Sequence, residues 1–211
     1  MRHAEVSYVG ERDPEVVRLT ERGAEQAQAA RRALAGVKLD VVVTSGLPRT
    51  IETAEAVAPG RELERWPDLA EWRGGRLDDI PPEELEEVFV GGLHVQDESA
   101  RFLGGESLGE ALDRVLPAFE RLVAREWETA LAVLHGGINR ILVSQALAGG
   151  RAYFGNFEQA PACINVLDLG ETGWIVRVVN YIPYDPLHPA RTTTMEHLWA
   201  ELKAWLDERD A

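Results

Sequence analysis

The sequence lacks the features that mark disulfide-linked, secreted and membrane-spanning proteins. It has one cysteine, Cys163, which excludes an internal disulfide and indicates a reducing compartment. The N-terminus carries no apolar signal region, and no apolar run approaches the length of about 20 residues that spans a bilayer. These absences predict a soluble cytoplasmic protein.

Basic residues are also scarce. The 211 residues include 22 Lys plus Arg against 36 Asp plus Glu, which gives a net charge of -14. A field of that sign repels nucleic acid and anionic membranes, so we expect neither as a partner. A small phosphorylated substrate stays compatible with this charge, because a few Arg and His side chains can converge into a local positive pocket.

Spacings that hold metals or nucleotide cofactors are missing as well. A phosphate-binding loop of the nucleotide-hydrolase type, a dinucleotide glycine fingerprint and a nucleophilic Ser within a Gly-x-Ser-x-Gly elbow are all absent. The histidines show no close pairing of the kind that binds zinc. We therefore expect neither a metal nor a cofactor. The five histidines are His3, His94, His135, His188 and His197.

Short apolar strands alternate with helices through the first two thirds of the chain. This order predicts an α/β, three-layer sandwich with a mostly parallel central sheet, helices on both faces and an antiparallel edge hairpin. Nothing marks a boundary, so residues 1–211 are interpreted as one domain. The predicted helices are Thr20–Ala35, Pro48–Val57, Pro82–Phe89, Ser107–Glu126, Ile138–Leu147 and one capped by Thr194; the predicted strands are Asp40–Thr44, Arg61–Trp66, Ala130–Leu134, Cys163–Leu169 and Trp174–Asn180.

Two polar clusters follow predicted strands directly. Ser45 to Arg49 come after one strand and His135 to Gly137 after another, so both should lie at the carboxyl edge of the sheet, where such folds bind ligands. Arg49 in a first helical turn is suited to binding a phosphate bidentately. The alternative is a surface Arg paired with Glu52 or Asp40.

His135, Glu71 and the Arg2–His3 pair complete the set of candidates. Gly136 lets the backbone approach an anion beside His135, although a lone His at a strand end can also be structural. Glu71 lies in the long loop 67–82 and could act as a general acid, or could be a solvated surface carboxylate. Arg2 and His3 stand at a chain end, which ordinarily frays.

In order along the chain, five segments resemble the histidine phosphatase superfamily in its phosphoglycerate mutase-like branch. The resemblance implies that His3 is the nucleophile that forms a phosphohistidine. It also implies that Arg2, Arg49, His135 and the Gly136 amide clamp the phosphoryl group, and that Glu71 is the general acid. The segments are Arg2-His3-Ala4-Glu5, Leu19 to Gly23, Ser45 to Ala54 with Glu71, Gly104-Gly105-Glu106-Ser107 and His135-Gly136-Gly137.

Departures from the family pattern narrow the expected function. The loop around Glu71 lacks the extra basic residues of true mutases, which favours a phosphatase; a phosphoglycerate mutase and a non-catalytic phosphate-binding protein are the alternatives. Val6 and Val9 stand where the family commonly has Thr and Asn. Only Met1 precedes the Arg-His pair, so we expect the natural protein to carry a longer N-terminal strand.

Substrate selection is expected in Trp72 to Phe102 and in the loop Arg151 to Pro161. The aromatic residues of that loop, Tyr153, Phe154 and Phe157, could line a pocket or could pack the loop against the sheet. The sequence leaves the oligomeric state open, with a homodimer among the alternatives.

Overall fold

The computed structural model of the chain describes residues 1–9, 13–94, 97–188 and 192–209. These residues form six α-helices and five β-strands, with three short 3-10 helices in the loops. The helices are α1 (Glu21–Ala33), α2 (Pro48–Val57), α3 (Leu85–Gly91), α4 (Leu108–Val123), α5 (Gly136–Ala148) and α6 (Thr194–Arg209); the strands are β1 (Val41–Thr44), β2 (Glu64–Arg65), β3 (Ala130–Val133), β4 (Ile164–Gly170) and β5 (Gly173–Tyr181).

Strand β1 is the centre of a parallel sheet with the order β2-β1-β3. Val41 pairs with Ala130 and Thr44 with Val133, so β1 and β3 end together at the carboxyl edge. A run of valines suits a strand that is covered on both faces, because neither face then needs polar residues. The predicted parallel sheet is confirmed.

Neighbouring residues of β1 face opposite helical layers. Val43 packs in one buried cluster with Ile138 of α5, whereas Val42 packs in another with Ala30 of α1 and Ala54 of α2. Successive side chains of a strand point to opposite faces, so helices cover both sides of the sheet. This confirms the predicted three layers.

The first residues of the chain lie between β3 and the residues that lead into β4. Arg2 forms a parallel bridge with Leu134, and the His3 amide donates to the Leu134 carbonyl at 2.8 Å. On the other side, the Arg2 amide donates to the Cys163 carbonyl at 3.1 Å. Hydrogen bonds on both sides are the pattern of an inner strand, so a frayed terminus is the wrong interpretation of Arg2 and His3.

An antiparallel hairpin follows, as predicted. Strands β4 and β5 pair from Ile164 with Tyr181 to Gly170 with Gly173. Gly173 has a φ of +112°, a conformation that side chains rarely adopt, which explains a glycine at this turn. Within the described residues, no helix is long and apolar enough to cross a membrane.

Strand β2 is shorter than the predicted Arg61–Trp66. Only Glu64 and Arg65 pair with β1. The Arg61 guanidinium instead donates to the Asp40 carbonyl at 3.2 Å, and Pro67 begins a 3-10 helix directly after Trp66. The Trp66 amide still donates to the Thr44 carbonyl of β1 at 2.8 Å, so the predicted strand is shortened at this end by the turn into the 3-10 helix.

Helix α5 begins at Gly136, whereas the sequence predicted Ile138. His135 is the N-cap, and both glycines lie in the first turn. Amides of a first turn have no intrahelical acceptor, so the low helix propensity of glycine matters least there. The close approach of Glu71 also requires a glycine at position 137, because a Cβ there would lie 2.8 Å from Glu71 Oε1.

Helix α6 is capped one residue earlier than predicted. The Glu196 amide donates to Thr193 Oγ1 at 3.2 Å, and the Thr193 amide donates back to the Glu196 carboxylate at 2.6 Å, which together form a capping box. Thr194 uses its hydroxyl for Glu158 instead, at 2.6 Å. Helix α3 is also displaced, to Leu85–Gly91 from the predicted Pro82–Phe89.

We expect Gly23→Ala to destabilise the fold, because a Cβ at this position would overlap the Glu5 carbonyl oxygen, where α1 packs on the segment after His3. Overpacking of this kind costs about 1–3 kcal/mol of unfolding free energy. The control is Gly36→Ala, which has no atom within 4 Å of the added carbon. Urea denaturation of both variants checks this; equal midpoints would contradict the predicted overlap.

Candidate active site

The carboxyl edge of the sheet brings together motifs that are far apart in the sequence. Ser45 and His135 follow β1 and β3, and His3 follows the segment that bridges to Leu134. The rings of His3 and His135 meet edge to face, with centroids 5.3 Å apart. Residues separated by more than 130 positions are thus neighbours, as the strand-end rule predicts.

His3 is buried and held as a neutral ring. Its Nδ1 lies 2.7 Å from the Ala4 carbonyl oxygen, which can only accept, so Nδ1 carries the proton and Nε2 keeps its lone pair. Burial, then the charges of Arg2 and Arg49, hold the pKa of His3 well below its ordinary value. The ring therefore presents a nucleophilic nitrogen at neutral pH.

His135 is also buried, and a chain of hydroxyl groups orients it. Its Nε2 lies 2.8 Å from Ser45 Oγ, which lies 3.1 Å from Thr50 Oγ1. The Thr50 hydroxyl donates to the Leu47 carbonyl, so Ser45 donates to Thr50 and accepts from the His135 Nε2 proton. Among the described residues, Nδ1 has no partner.

The pKa of His135 is lowered by the same causes as that of His3. Burial is the largest, followed by the positive charge of Arg49 and then by that of Arg2. Two neutral imidazoles therefore lie beside two permanent cations, and the site can accept negative charge without a competing titration near neutral pH.

Arg2 and Arg49 are buried without a carboxylate partner in the part of the chain that is described. Each guanidinium donates to one carbonyl, Arg2 to Gln159 at 2.5 Å and Arg49 to Pro14 at 2.7 Å, and each Nε has no partner. A buried cation without a counter-ion is costly unless an anion completes the site. Such guanidinium groups suit a phosphoryl group, which accepts several N–H donors.

The proposed surface pairing of Arg49 with Glu52 or Asp40 is wrong. The Glu52 carboxylate accepts from Arg18 and from the Leu19 amide. Asp40 accepts from the amides of residues 128 and 129 and pairs with Lys38. Both acids have other partners, which leaves Arg49 free to bind an anion.

Glu71 reaches the first turn of α5 from the loop 67–82. Its carboxylate accepts from the Gly137 amide at 3.1 Å and from the Trp72 amide at 2.9 Å. The neighbouring Gly136 lies close to Arg2, because a Cβ on Gly136 would be 3.6 Å from the Arg2 guanidinium carbon. The carboxylate is thus fixed at the rim of the cationic cluster, not solvated at the surface.

One buried arginine was not predicted from the sequence. Arg140, on α5, donates to the carbonyls of Gly136 and Gly155, both at 3.2 Å. Its pKa is lowered by burial in spite of the opposite influence of Tyr153 and Glu158. The signal in the sequence is its spacing of four from Gly136, which places it over the first turn of the helix.

Comparison of the chain with known protein families identifies the family to which it belongs. Residues 1–182 match the model of the histidine phosphatase superfamily (branch 1). The chain belongs to this superfamily. Among known proteins, it is 29% identical to the probable 2-carboxy-D-arabinitol-1-phosphatase of Arabidopsis thaliana over 80% of this chain and 37% of that protein. The chain therefore spans little more than a third of that relative's length.

Two further members of the superfamily are similar over most of their length. Phosphoserine phosphatase 1 of Hydrogenobacter thermophilus is 28% identical over 85% of this chain and 90% of that protein. Among solved structures, mycobacterial glucosyl-3-phosphoglycerate phosphatase complexed with VO3 is 26% identical and superposes with a TM-score of 0.65, covering 85% of this chain and 96% of that one. The predicted family and fold are confirmed.

A cavity of about 170 Å³ adjoins the histidine phosphatase-like site. Its lining includes Arg2 and His3 together with residues that follow β5, among them Tyr184, His188 and Leu198. From the loop that was expected to select substrate, it includes Ala160 and Pro161. The cavity therefore has a wall that the sequence did not indicate.

The aromatic side chains around Glu71 pack against one another. The Tyr153 hydroxyl donates to the Leu93 carbonyl at 2.8 Å, and its ring lies edge-on to Trp72 with centroids 5.8 Å apart. Phe102 packs on the same indole at 5.5 Å. For Tyr153, the packing alternative is confirmed.

In the described residues, no group of three or more His, Cys, Asp or Glu is placed to bind a metal.

We expect the two buried rings to make stability depend on pH. The pKa of each ring in the folded protein lies below the ordinary 6.5, so the unfolded chain binds protons more readily. The contribution of the neutral rings to the unfolding free energy is therefore complete above pH 6.5 and is lost as the pH falls below it. His3→Asn keeps a donor toward Ala4 without titrating. Wild-type unfolding free energy should fall more steeply below that pH than the variant's, by up to about 1.4 kcal/mol per pH unit.

Urea titrations at a series of pH values measure these slopes. The matched control is His94→Asn, because His94 is exposed and its replacement should leave the wild-type slope unchanged. A slope for His3→Asn equal to that of the wild type would contradict the assignment of a buried neutral ring.

Proposed function

We propose that the protein is a phosphomonoesterase that hydrolyses a small phosphorylated metabolite through a phosphohistidine on His3. The observation that carries this proposal is the neutral His3 ring beside Arg2 and Arg49, two buried cations that lack a carboxylate partner among the described residues. A nucleophilic nitrogen next to unneutralised positive charge is what transfer of a phosphoryl group requires.

In the first step, the Nε2 lone pair of His3 attacks phosphorus as the bond from phosphorus to the leaving oxygen breaks. Glu71, in its protonated form, gives its proton to that oxygen. Arg2, Arg49 and the Gly136 amide hold the phosphoryl oxygens and offset the charge that develops on them. The Nδ1 atom of His135 becomes a donor once protonated, which a nearby phosphoryl anion favours.

In the second step, the Glu71 carboxylate takes a proton from water while the water oxygen attacks phosphorus. The bond from phosphorus to His3 Nε2 breaks, which restores the neutral ring and releases inorganic phosphate. Glu71 and water exchange every proton in this scheme, and protein groups supply every positive charge, so a metal and a cofactor are not required by it.

We expect His3→Asn to lower phosphate release from 4-nitrophenyl phosphate by on the order of 10³-fold or more, because the nucleophile is lost. Quenching of enzyme and radiolabelled substrate in alkaline detergent should trap a base-stable, acid-labile phosphoenzyme in the wild type and none in the variant. Activity that survives in His3→Asn would rule out the mechanism.

The same preparation tests the alternatives. Conversion of 3-phosphoglycerate to its isomer without net phosphate release would identify a mutase. Phosphate binding by folded protein without turnover of any substrate would identify a non-catalytic binding protein. Hydrolysis across a panel of phosphorylated metabolites, with one strongly preferred, is the result that the proposal requires.

We also assign the leaving group of the substrate to the cavity beside His3. Leu198→Trp should therefore raise KM for a bulky substrate such as a hexose phosphate by roughly five-fold, which corresponds to about 1 kcal/mol of overpacking, and leave KM for glycerol phosphate unchanged. Leu187→Trp is the matched control, since Leu187 is exposed and outside the lining. Equal KM changes for both substrates would contradict the assignment.

A further inference from the structure

The loop that carries Glu71 is held by one arginine of α4. Arg114 Nη1 donates to the carbonyls of Asp68 and Ala70, at 2.8 and 2.9 Å. Its Nε and Nη2 bind the two carboxylate oxygens of Glu106 at 2.9 and 2.7 Å. Almost every N–H of the guanidinium is therefore used, in the fixed fork geometry that arginine alone provides.

Glu106 fixes the same loop on the other side of Glu71. Its carboxylate accepts from the Arg73 amide at 3.1 Å, and its own amide donates to the Arg73 carbonyl at 2.8 Å. Its carbonyl accepts from the Trp72 indole at 2.8 Å. The backbone on both sides of Glu71 is thus tied to the Arg114–Glu106 pair.

Backbone packing leaves this part of the loop no room to move. A Cβ on Gly75 would overlap the Leu103 carbonyl oxygen, and a Cβ on Gly105 would overlap the Arg73 carbonyl oxygen. The two segments therefore lie against each other with only hydrogen atoms between them. A small displacement of Glu106 must move the residues next to Glu71.

The pair is ionic and largely buried, with side-chain exposures of 13% for Arg114 and 10% for Glu106. Burial raises the pKa of Glu106, but hydrogen bonds from Arg114 and from the Arg73 amide outweigh it and lower the pKa below its ordinary value. Buried ion pairs are often no more stabilising than apolar residues of the same size. Stability alone is therefore a weak reason for this arrangement.

We propose that Arg114 and Glu106 are positioning residues that hold the Glu71 carboxyl at the first turn of α5, where it reaches the leaving oxygen. The inference rests on the function proposed above. It extends that function by naming the pair that sets the distance between the proton donor and the phosphoryl site, through backbone contacts and not by touching substrate.

The test compares two substrates that differ in their need for a proton. The leaving group of 4-nitrophenyl phosphate departs as a stable anion, whereas that of glycerol phosphate must be protonated. General acid catalysis contributes about 10²–10⁴-fold where it is needed. Arg114→Lys and Glu106→Gln should therefore lower kcat/KM for glycerol phosphate at least about tenfold more than for 4-nitrophenyl phosphate.

Two further variants complete the experiment. Glu71→Gln should show the same selective loss, at least as large. Arg121→Lys is the matched control, because Arg121 also lies on α4 and also pairs with the loop, at 3.3 Å from Asp68, but its side chain is 57% exposed. Exposed pairs contribute little, so this control should leave both rates unchanged.

The outcomes separate the inference from the proposed function. Equal losses on the two substrates in both Arg114→Lys and Glu106→Gln, with a selective loss in Glu71→Gln, would overturn the positioning role and leave the function intact. A Glu71→Gln variant without selective loss would overturn the general acid assignment and the inference together. If Arg114→Lys does not fold, Glu106→Gln, which keeps the shape of the side chain, decides the result.

Discussion

The double-sided hydrogen bonding of the first three residues is the constraint on which the site depends. The Leu134 carbonyl accepts on one side and the Cys163 carbonyl on the other, which fixes the backbone of Arg2 and His3 between β3 and the hairpin. Their side chains then project at the edge where β1 and β3 also end. Without that anchorage, His3 and the Arg2 cation would belong to a mobile chain end.

The carboxyl edge of the sheet is positively charged, because its arginines are buried without counter-ions among the described residues. The chain as a whole carries a net charge of -14, yet Arg2 and Arg49 meet no carboxylate among the described residues. The same burial keeps His3 and His135 neutral. The positive charges of the two arginines are therefore not neutralised by any described carboxylate. A bound phosphoryl anion would neutralise them.

Sequence patterns predicted the elements better than their ends. The capping box at Ser107 was correct, because both partners lie within one helical turn. Helix α5 was predicted two residues late, because the glycines look like a loop until Glu71 is seen to need their space. Arg114 was missed for a related reason. Besides Glu106, its partners are the backbone carbonyls of residues 68 and 70, and backbone groups leave no mark in a sequence.

The sequence by itself determined the alternation of strands and helices, the caps at Thr20 and Ser107, and the order of the motifs that carry His3, Glu71 and His135. These properties are local, since periodicity, capping and turn chemistry act within a few residues. Only the tertiary structure decided that the cations lack counter-ions, that both imidazoles are neutral and that a buried ion pair holds the Glu71 loop. Each of these properties depends on which residues from distant parts of the chain pack around a group and on whether water reaches it. Tertiary packing alone determines both.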